Sequence, residues 1–386
     1  MNRNPNRYDC LLWGGYGYGN TGDELTLAVA LHDQRRQCGG SVAILSHNPD
    51  YTRALFPDVP VIAYTPHRAP ALRRMLSRLL DRWSHHGGPT NFRIARYRLD
   101  NQPGTTPAGV ESWTAAIANS RRLHLVGGGY LSDLFSVDYL ALPLAAANAA
   151  AVPISTSPLG LGPFASRATA AHVADLLRHT QLVVRDPVSL EFCQQHQLPA
   201  DLRPDDGFRV LEILPELSPP APRATPPKRP RVGLCVFRQH GDRARPETEQ
   251  WWQQFLRALQ TSAEPVEVEG FCFHTKQSMD YDTACALFRI AGLAKSAVRR
   301  PDPDFRAALR DLRRYDVIVS ARFHAIVVAN ALNIPHVAIA FGEYYRAKMS
   351  AAVRRDDVQS RLVSSLTISP EEVARHVVAT CYARTG

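Results

Sequence analysis

An α/β chain built as two parallel-sheet units is what this sequence predicts, on three grounds. Short apolar runs alternate with amphipathic or Ala-rich stretches, the pattern of repeated β-α-β units. Glycine clusters stand directly after two of those runs. A proline-dense stretch, Ile213 to Arg231, then divides the chain, as a stiff linker would. The length of 386 residues agrees, because single cores stop growing near roughly 250–300 residues. The expected division is an N-terminal unit over 1–212 with an insertion near 66–110, a linker over 213–231, and a C-terminal unit over 232–386.

The elements follow in order. Tyr8 to Trp13 is an apolar run that leads into glycines and predicts a buried strand. Asp23 to Gln37 predicts a helix with Leu25, Leu27, Ala28 and Leu31 facing inward. Ser41 to Leu45 and Val59 to Tyr64 predict two more strands. Ala71 to Trp83 places Leu72, Met75, Leu76, Leu79, Leu80 and Trp83 at helical spacing, opposite Arg73, Arg74, Arg78 and Arg82. Such a basic amphipathic helix packs on its own domain or lies on an anionic membrane. His85 to Gly104 predicts a loop. Strands resume at Leu123 to Val126, Pro153 to Thr156 and Gln181 to Val184. In the C-terminal unit, strands are predicted at Val232 to Phe237, Val266 to Phe273, Val317 to Ser320 and His336 to Ala340. Helices are predicted at Glu247 to Gln260, Asp304 to Arg314 and His324 to Leu332. Ser369-Pro370-Glu371-Glu372 starts a last helix, with a cap residue, Pro at the first position, then acids. That helix is free to pack back across the domain boundary.

Bulk properties narrow the function classes. The chain is 45% hydrophobic and 21% charged, with a net charge of +9, which suits anionic partners. The arginines are spread, with no dense arm for nucleic acid. Seven cysteines without a CxxC pair predict reduced thiols and a cytoplasmic setting, and offer no metal site. The start of the sequence is polar, without the apolar core of a signal peptide.

Five segments carry candidate chemistry. Gly14 to Glu24 holds GxGxxG as Gly17, Gly19 and Gly22. A dinucleotide site wants an acid after the next strand. Ser46-His47-Asn48 stands there instead, and Asp23 and Glu24 oppose a phosphate at the helix start. A grip on neutral hydroxyls by Gly17, Gly19, Asn20, Gly22, Asp23 and Glu24 fits better. Gly127-Gly128-Gly129-Tyr130-Leu131-Ser132-Asp133 is the second segment. Its Gly128 and Gly129 allow close ligand approach, and Asp133 either binds a sugar hydroxyl as base or caps a helix. The third is Arg322-Phe323-His324 at a predicted strand end, where open α/β sheets bind ligands. Arg322 can clamp a carboxylate or phosphate with two parallel hydrogen bonds, and His324 can bind an anion or donate a proton. Arg238 with His240 is the fourth. Arg346 and Lys348 form the fifth, a cationic pocket wall or a solvated helix face. Cations in the C-terminal half and glycines and acids in the N-terminal half suggest an anionic donor meeting a hydroxyl-rich acceptor in a cleft.

Taken in order, GYGYGNTGDELTLAVAL, VGGGYLSD, VVRDPVSLEF (Arg185, Asp186, Ser189), RPDDGF and SARFHAIVVANALNIPHVAIAF resemble the motifs of polysaccharide pyruvyl transferases. The resemblance implies two Rossmann-like domains facing across a cleft, as in GT-B glycosyltransferases. It implies phosphoenolpyruvate as donor, a saccharide as acceptor, free or lipid-linked, a ketal product, and no cofactor or metal. Arg322, Phe323 and His324 would contact the donor, with Arg238 as partner. The family's lysine after the last strand is absent here, and Arg346 or Lys348 would substitute. A nucleotide-sugar glycosyltransferase and a non-catalytic sugar-binding relative are the alternatives. The basic helix makes peripheral contact with the inner membrane face a further expectation.

Overall fold

The computed structural model describes residues 8–65, 67–68, 97–98, 112–132, 137–164, 166–218, 228–237, 246–353 and 360–383. The chain divides into two compact units, residues 1–17 with 26–206, and residues 18–25 with 207–386.

In the first unit, short strands, most of them buried on both faces, form one parallel sheet. They are β1 (Cys10–Trp13), β2 (Val42–Ser46), β3 (Val61–Ala63), β6 (Leu123–Leu125), β7 (Gly128–Leu131), β8 (Ile154–Thr156), β9 (Leu159–Leu161), β10 (Thr180–Val184) and β11 (Ala200–Leu202). Between β3 and β6 lie β4 (His67–Arg68) and β5 (Tyr97–Arg98), an antiparallel pair of their own. The order in the large sheet is β3-β2-β1-β6-β8-β10-β9-β7, with β11 beside β10. Strand β1 therefore sits between β2 and β6, with Leu11 in register with both Ala43 and Leu123. Such strands read as continuous apolar runs because helices cover both faces. Trp13 fixes one of those helices, Val137–Ala149, by donating its indole N–H to Leu140 O at 2.9 Å.

The second unit is a five-stranded parallel sheet. Its strands are β12 (Arg231–Cys235), β13 (Glu267–Gly270), β14 (Val317–Ser320), β15 (His336–Ile339) and β16 (Ser360–Val363), in the order β13-β12-β14-β15-β16. Val232, Leu234, Val319, Val337 and Ile339 form its core with Trp251, Phe255 and Phe288. The last helix, Pro370–Tyr382, starts where predicted, with Ser369 Oγ accepting the Glu372 N–H at 3.2 Å. It packs within this unit on helix Pro246–Gln260, and Trp251 donates to Ile368 O at 2.8 Å.

Three expectations change. The glycine run at 127–129, expected as a turn between strand and helix, instead enters β7, which pairs with β9. The stretch from Ile213, expected as the linker between the units, already belongs to the second unit, whose main segment begins at Gly207. Leu214 and Leu217 are buried, and Arg310 and Arg313 hold Glu216 at 2.8 Å each, so the first proline forms an ordered turn of the second unit. Residues 18–25, expected in the N-terminal unit, cluster with the second. The predicted helix Ala71 to Trp83 and the loop that follows lie outside the described residues. No described helix is long and apolar enough to cross a membrane.

Burial shifts the titration of thiols and of one imidazole in this fold. Cys10, Cys193, Cys235, Cys272 and Cys381 are buried, and Cys38 and Cys285 half-buried. Burial pushes the Cys10 thiol up to about 12 and Cys193 up to about 11. His124 on β6 is wedged between Ser155 Oγ at 2.9 Å and Ser157 Oγ at 3.2 Å. Burial, then the Arg122 charge, lowers it from 6.5 to about 3. The unfolded imidazole therefore takes up a proton near pH 6.5 while the folded one resists it, so stability falls as pH drops below 6.5. We expect urea unfolding to lose about 2 kcal/mol between pH 6.5 and 5 from this residue, and His124→Asn to flatten that slope.

Candidate functional site

In the second sheet the chain leaves β12 toward β13 on one side and later returns to β14 on the other. The gap beyond the carboxyl ends of β12 and β14 is therefore a topological switch point, where open α/β sheets hold ligands. Arg322 lies two residues past β14, its N–H donating to Ser320 Oγ at 2.9 Å. Its guanidinium stacks over Phe237, two residues past β12, at 4.0 Å from the ring centroid. It is also tied to Asp280, whose exposure is 0%. Arg322 Nε donates to Asp280 Oδ1 at 2.9 Å, and Nη2 donates to the same oxygen. Asp280 Oδ2 accepts the Phe273 N–H at 2.8 Å and faces the Cys235 thiol at 3.9 Å. Burial disfavours the Arg322 charge. The attraction and hydrogen bonds of Asp280 outweigh it, so Arg322 holds its proton more tightly than usual. The two-pronged clamp expected of Arg322 is thus already engaged within the protein.

The glycine segment 18–25 joins this site through backbone bonds. Thr21 N–H donates to Phe273 O at 2.9 Å, Thr275 N–H donates to Gly19 O at 2.7 Å, and Asn20 forms an antiparallel bridge with His274. Gly19 has φ of +76°, and a Cβ there would lie 1.8 Å from Thr275 Oγ1. Gly22 is held by space alone: a Cβ would lie 2.0 Å from His324 Nδ1 and 2.4 Å from His324 Cβ. Asn20 accepts the Gly22 N–H at 3.2 Å and donates to Asp23 Oδ2 at 2.7 Å, which closes the first turn of helix Thr21–Cys38. Asp23 also lies within the field of Arg322, and Glu24 is fully buried. Gly19, Asn20, Gly22, Asp23 and Glu24, expected on the opposite half from the Arg-Phe-His motif, therefore form one constellation with it. The physical reason is strand-like pairing of residues 19–21 with 273–275, invisible in a local reading.

The remaining predicted residues divide between this site and other places. His324, the second residue of helix Phe323–Ala331, is buried with its ring 5.1 Å from Phe323. Lys348 Nζ lies 5.4 Å over the Phe323 ring and 5.9 Å over Tyr344, whereas Arg346 on the same helix is exposed. Gly17, with φ of +85°, belongs to the first unit, where a Cβ would meet Ser46 Oγ at 3.1 Å and His47 Nε2 at 3.2 Å. Gly128 and Gly129 lie in β7. Asp133, Arg238 and His240 lie outside the described residues. Arg185 pairs with Asp205 at 2.8 Å, both side chains 2% exposed. Asp186 caps helix Pro187–Gln195 by accepting the Ser189 N–H at 2.8 Å. The VVRD and RPDD segments thus fasten to each other.

A sequence model described as polysaccharide pyruvyl transferase matches residues 20–342. The chain belongs to the polysaccharide pyruvyl transferase family. Members of that family are enzymes, and the matched span runs from Asn20 to Gly342, beginning inside the glycine segment and enclosing the Arg-Phe-His motif. No curated protein matches the chain. Solved structures share its fold. Staphylococcus aureus MnaA in a UDP co-structure is 10% identical over 98% of this chain and 90% of its own, with a TM-score of 0.57. A Rickettsia africae glycosyltransferase is 11% identical over 99% and 89%, with a TM-score of 0.54. The Neisseria meningitidis UDP-GlcNAc 2-epimerase bound to UDP-GlcNAc is 11% identical over 98% and 94%, at 0.53. The pyruvyl transferase chain therefore has a GT-B fold of two Rossmann-like α/β units.

Asp280 and His274 go unflagged in the sequence because both lie in the segment 271–280 that follows β13, and neither belongs to a motif or a periodic pattern. The nearest signal was position: in a parallel sheet, every loop at the carboxyl edge is a candidate. Removing the carboxylate in Asp280→Ala should strand the Arg322 charge and cost about 3–5 kcal/mol in urea unfolding. Gly22→Ala should lower stability by about 1–3 kcal/mol through overpacking on His324, read as a lower thermal midpoint.

Proposed function

We propose that this enzyme moves a pyruvyl group from phosphoenolpyruvate to two hydroxyls of a saccharide, closing a ketal and releasing inorganic phosphate. Family membership supports the reaction class. The observation that carries the reading is the meeting of Arg322, His324 and the glycine segment at the switch point of one sheet. Lys348, beside Phe323, is the better stand-in for the family lysine than the exposed Arg346.

In the proposed sequence the donor's methylene carbon gains a proton and becomes a methyl group. A sugar oxygen then bonds to the neighbouring carbon as its hydroxyl proton is released. The carbon–oxygen bond to phosphate breaks, and the second sugar oxygen takes that place. Of the two hydroxyl protons lost, one balances the new methyl group and the other leaves on phosphate. Arg322 and Lys348 hold donor anions, which supplies orientation before reaction and offsets charge during it. His324 is the general acid or a phosphate ligand, with Asp23 or Asp133 on the acceptor hydroxyls. We place the reaction in the cytoplasm, on a cell-surface polysaccharide or its precursor, lipid-linked or free, with Ala71 to Trp83 as the segment for membrane contact. The reaction as written draws on no further cofactor.

Incubation with phosphoenolpyruvate and a panel of pyranosides should release phosphate and yield a ketal mass. His324→Ala should slow phosphate release on the order of 100-fold. Turnover of a UDP-sugar with no phosphate release from phosphoenolpyruvate would favour a nucleotide-sugar glycosyltransferase instead.

A further inference from the structure

Arg322 enters the site with part of its hydrogen-bonding capacity spent. Nε and Nη2 both donate to Asp280, which leaves the Nη1 side of the fork for a ligand. Asp280 also offsets its charge at close range, and Asp23 adds a second negative field. A small ester bearing both a carboxylate and a phosphate needs further donors at the same strand ends. Lys348 is one, a mobile point charge over Phe323. The loop after β13 carries another.

His274 lies four residues past the end of β13. Its Nδ1 accepts the Lys276 N–H at 3.0 Å. A ring nitrogen that accepts carries no proton, so the neutral ring has its proton on Nε2, and the tautomer is fixed. That Nε2–H donates to no described residue, and the ring is half-buried. The backbone around it is pinned from both sides. Phe273 N–H donates to Asp280, Phe273 O accepts from Thr21, and Thr275 N–H donates to Gly19 O, while His274 itself is bridged to Asn20. A donor on a segment held at this many points needs little reordering to meet a ligand.

We infer that His274 supplies, through Nε2–H, a neutral hydrogen-bond donor that completes the anion seat begun by Arg322; this rests on the reading of the site as the phosphoenolpyruvate site. Burial, then the charge of Arg322, lowers His274 from 6.5 to about 4, with Asp280 opposing and Lys276 adding to the effect. The ring thus acts as an uncharged donor across the physiological range, not as a third cation.

The test is equilibrium binding of phosphoenolpyruvate, and kcat and KM for it, in wild type, H274F, H274Q and R322Q, each checked for its thermal midpoint. Phe keeps the ring without a donor, and Gln puts an amide N–H near the Nε2 position. We expect H274F to weaken phosphoenolpyruvate binding roughly 10–100-fold, as for loss of a hydrogen bond to a charged group. H274Q should recover most of that loss, with the effect in KM more than in kcat. Should H274F fold poorly, H274N, whose amide stops short of the Nε2 position, carries the same contrast against H274Q. Normal binding by folded H274F while R322Q loses it would overturn the role of His274 and leave the site reading intact. Equal loss in folded H274F and H274Q would overturn a donor role. Wild-type binding by R322Q, or no binding by wild type, would overturn the site reading and this inference with it.

Discussion

The candidate site is organised around one carboxylate that solvent does not reach. Asp280 holds Arg322 with one oxygen and the Phe273 amide with the other, close to the Cys235 thiol. Residues at the ends of three adjacent strands thereby share a single anion. A buried guanidinium without such a partner is costly. With it, the cation stays charged and keeps its orientation against Phe237. The loop after β13 is fixed by the same atoms, so the glycine segment that pairs with it depends on Asp280 at one remove.

Two glycines show different reasons for the same residue. At Gly19 a positive φ and the closeness of Thr275 both favour glycine. At Gly22 the requirement is space, because His324 stands where a side chain would begin. That second reason links two motifs about 300 positions apart in the sequence, and it shows why a motif bracketed by strand and helix need not mark a nucleotide phosphate. Asp23, at the helix start, is taken up by Asn20 and sits in the field of Arg322.

Much of the architecture was legible because fully buried parallel strands write themselves as apolar runs. Cys10–Trp13, Val317–Ser320 and His336–Ile339 are of this kind, and the cap at Ser369 announces its helix. Short strands without that signature were lost. Gly128–Leu131 looked like a turn because its glycines suit one, and Ser360–Val363 carries too little apolar character. At the site, Arg322 and His324 were legible as an arginine and a histidine just behind a strand. Asp280 and His274 were not, because their roles come from non-local bonds. The placement of 18–25 was misread for the same reason: it is set by pairing with 273–275 and not by its own composition.

The burial of sulfur has a practical side. Native chains offer only the two half-buried thiols, Cys38 and Cys285, to an alkylating reagent, while the other five are shielded. A denatured chain offers all seven. The molecule therefore carries a built-in gauge of its own integrity, in which the extent of modification counts unfolded copies, and Cys235 exchanges its silence for reactivity only when the pocket around Asp280 comes apart.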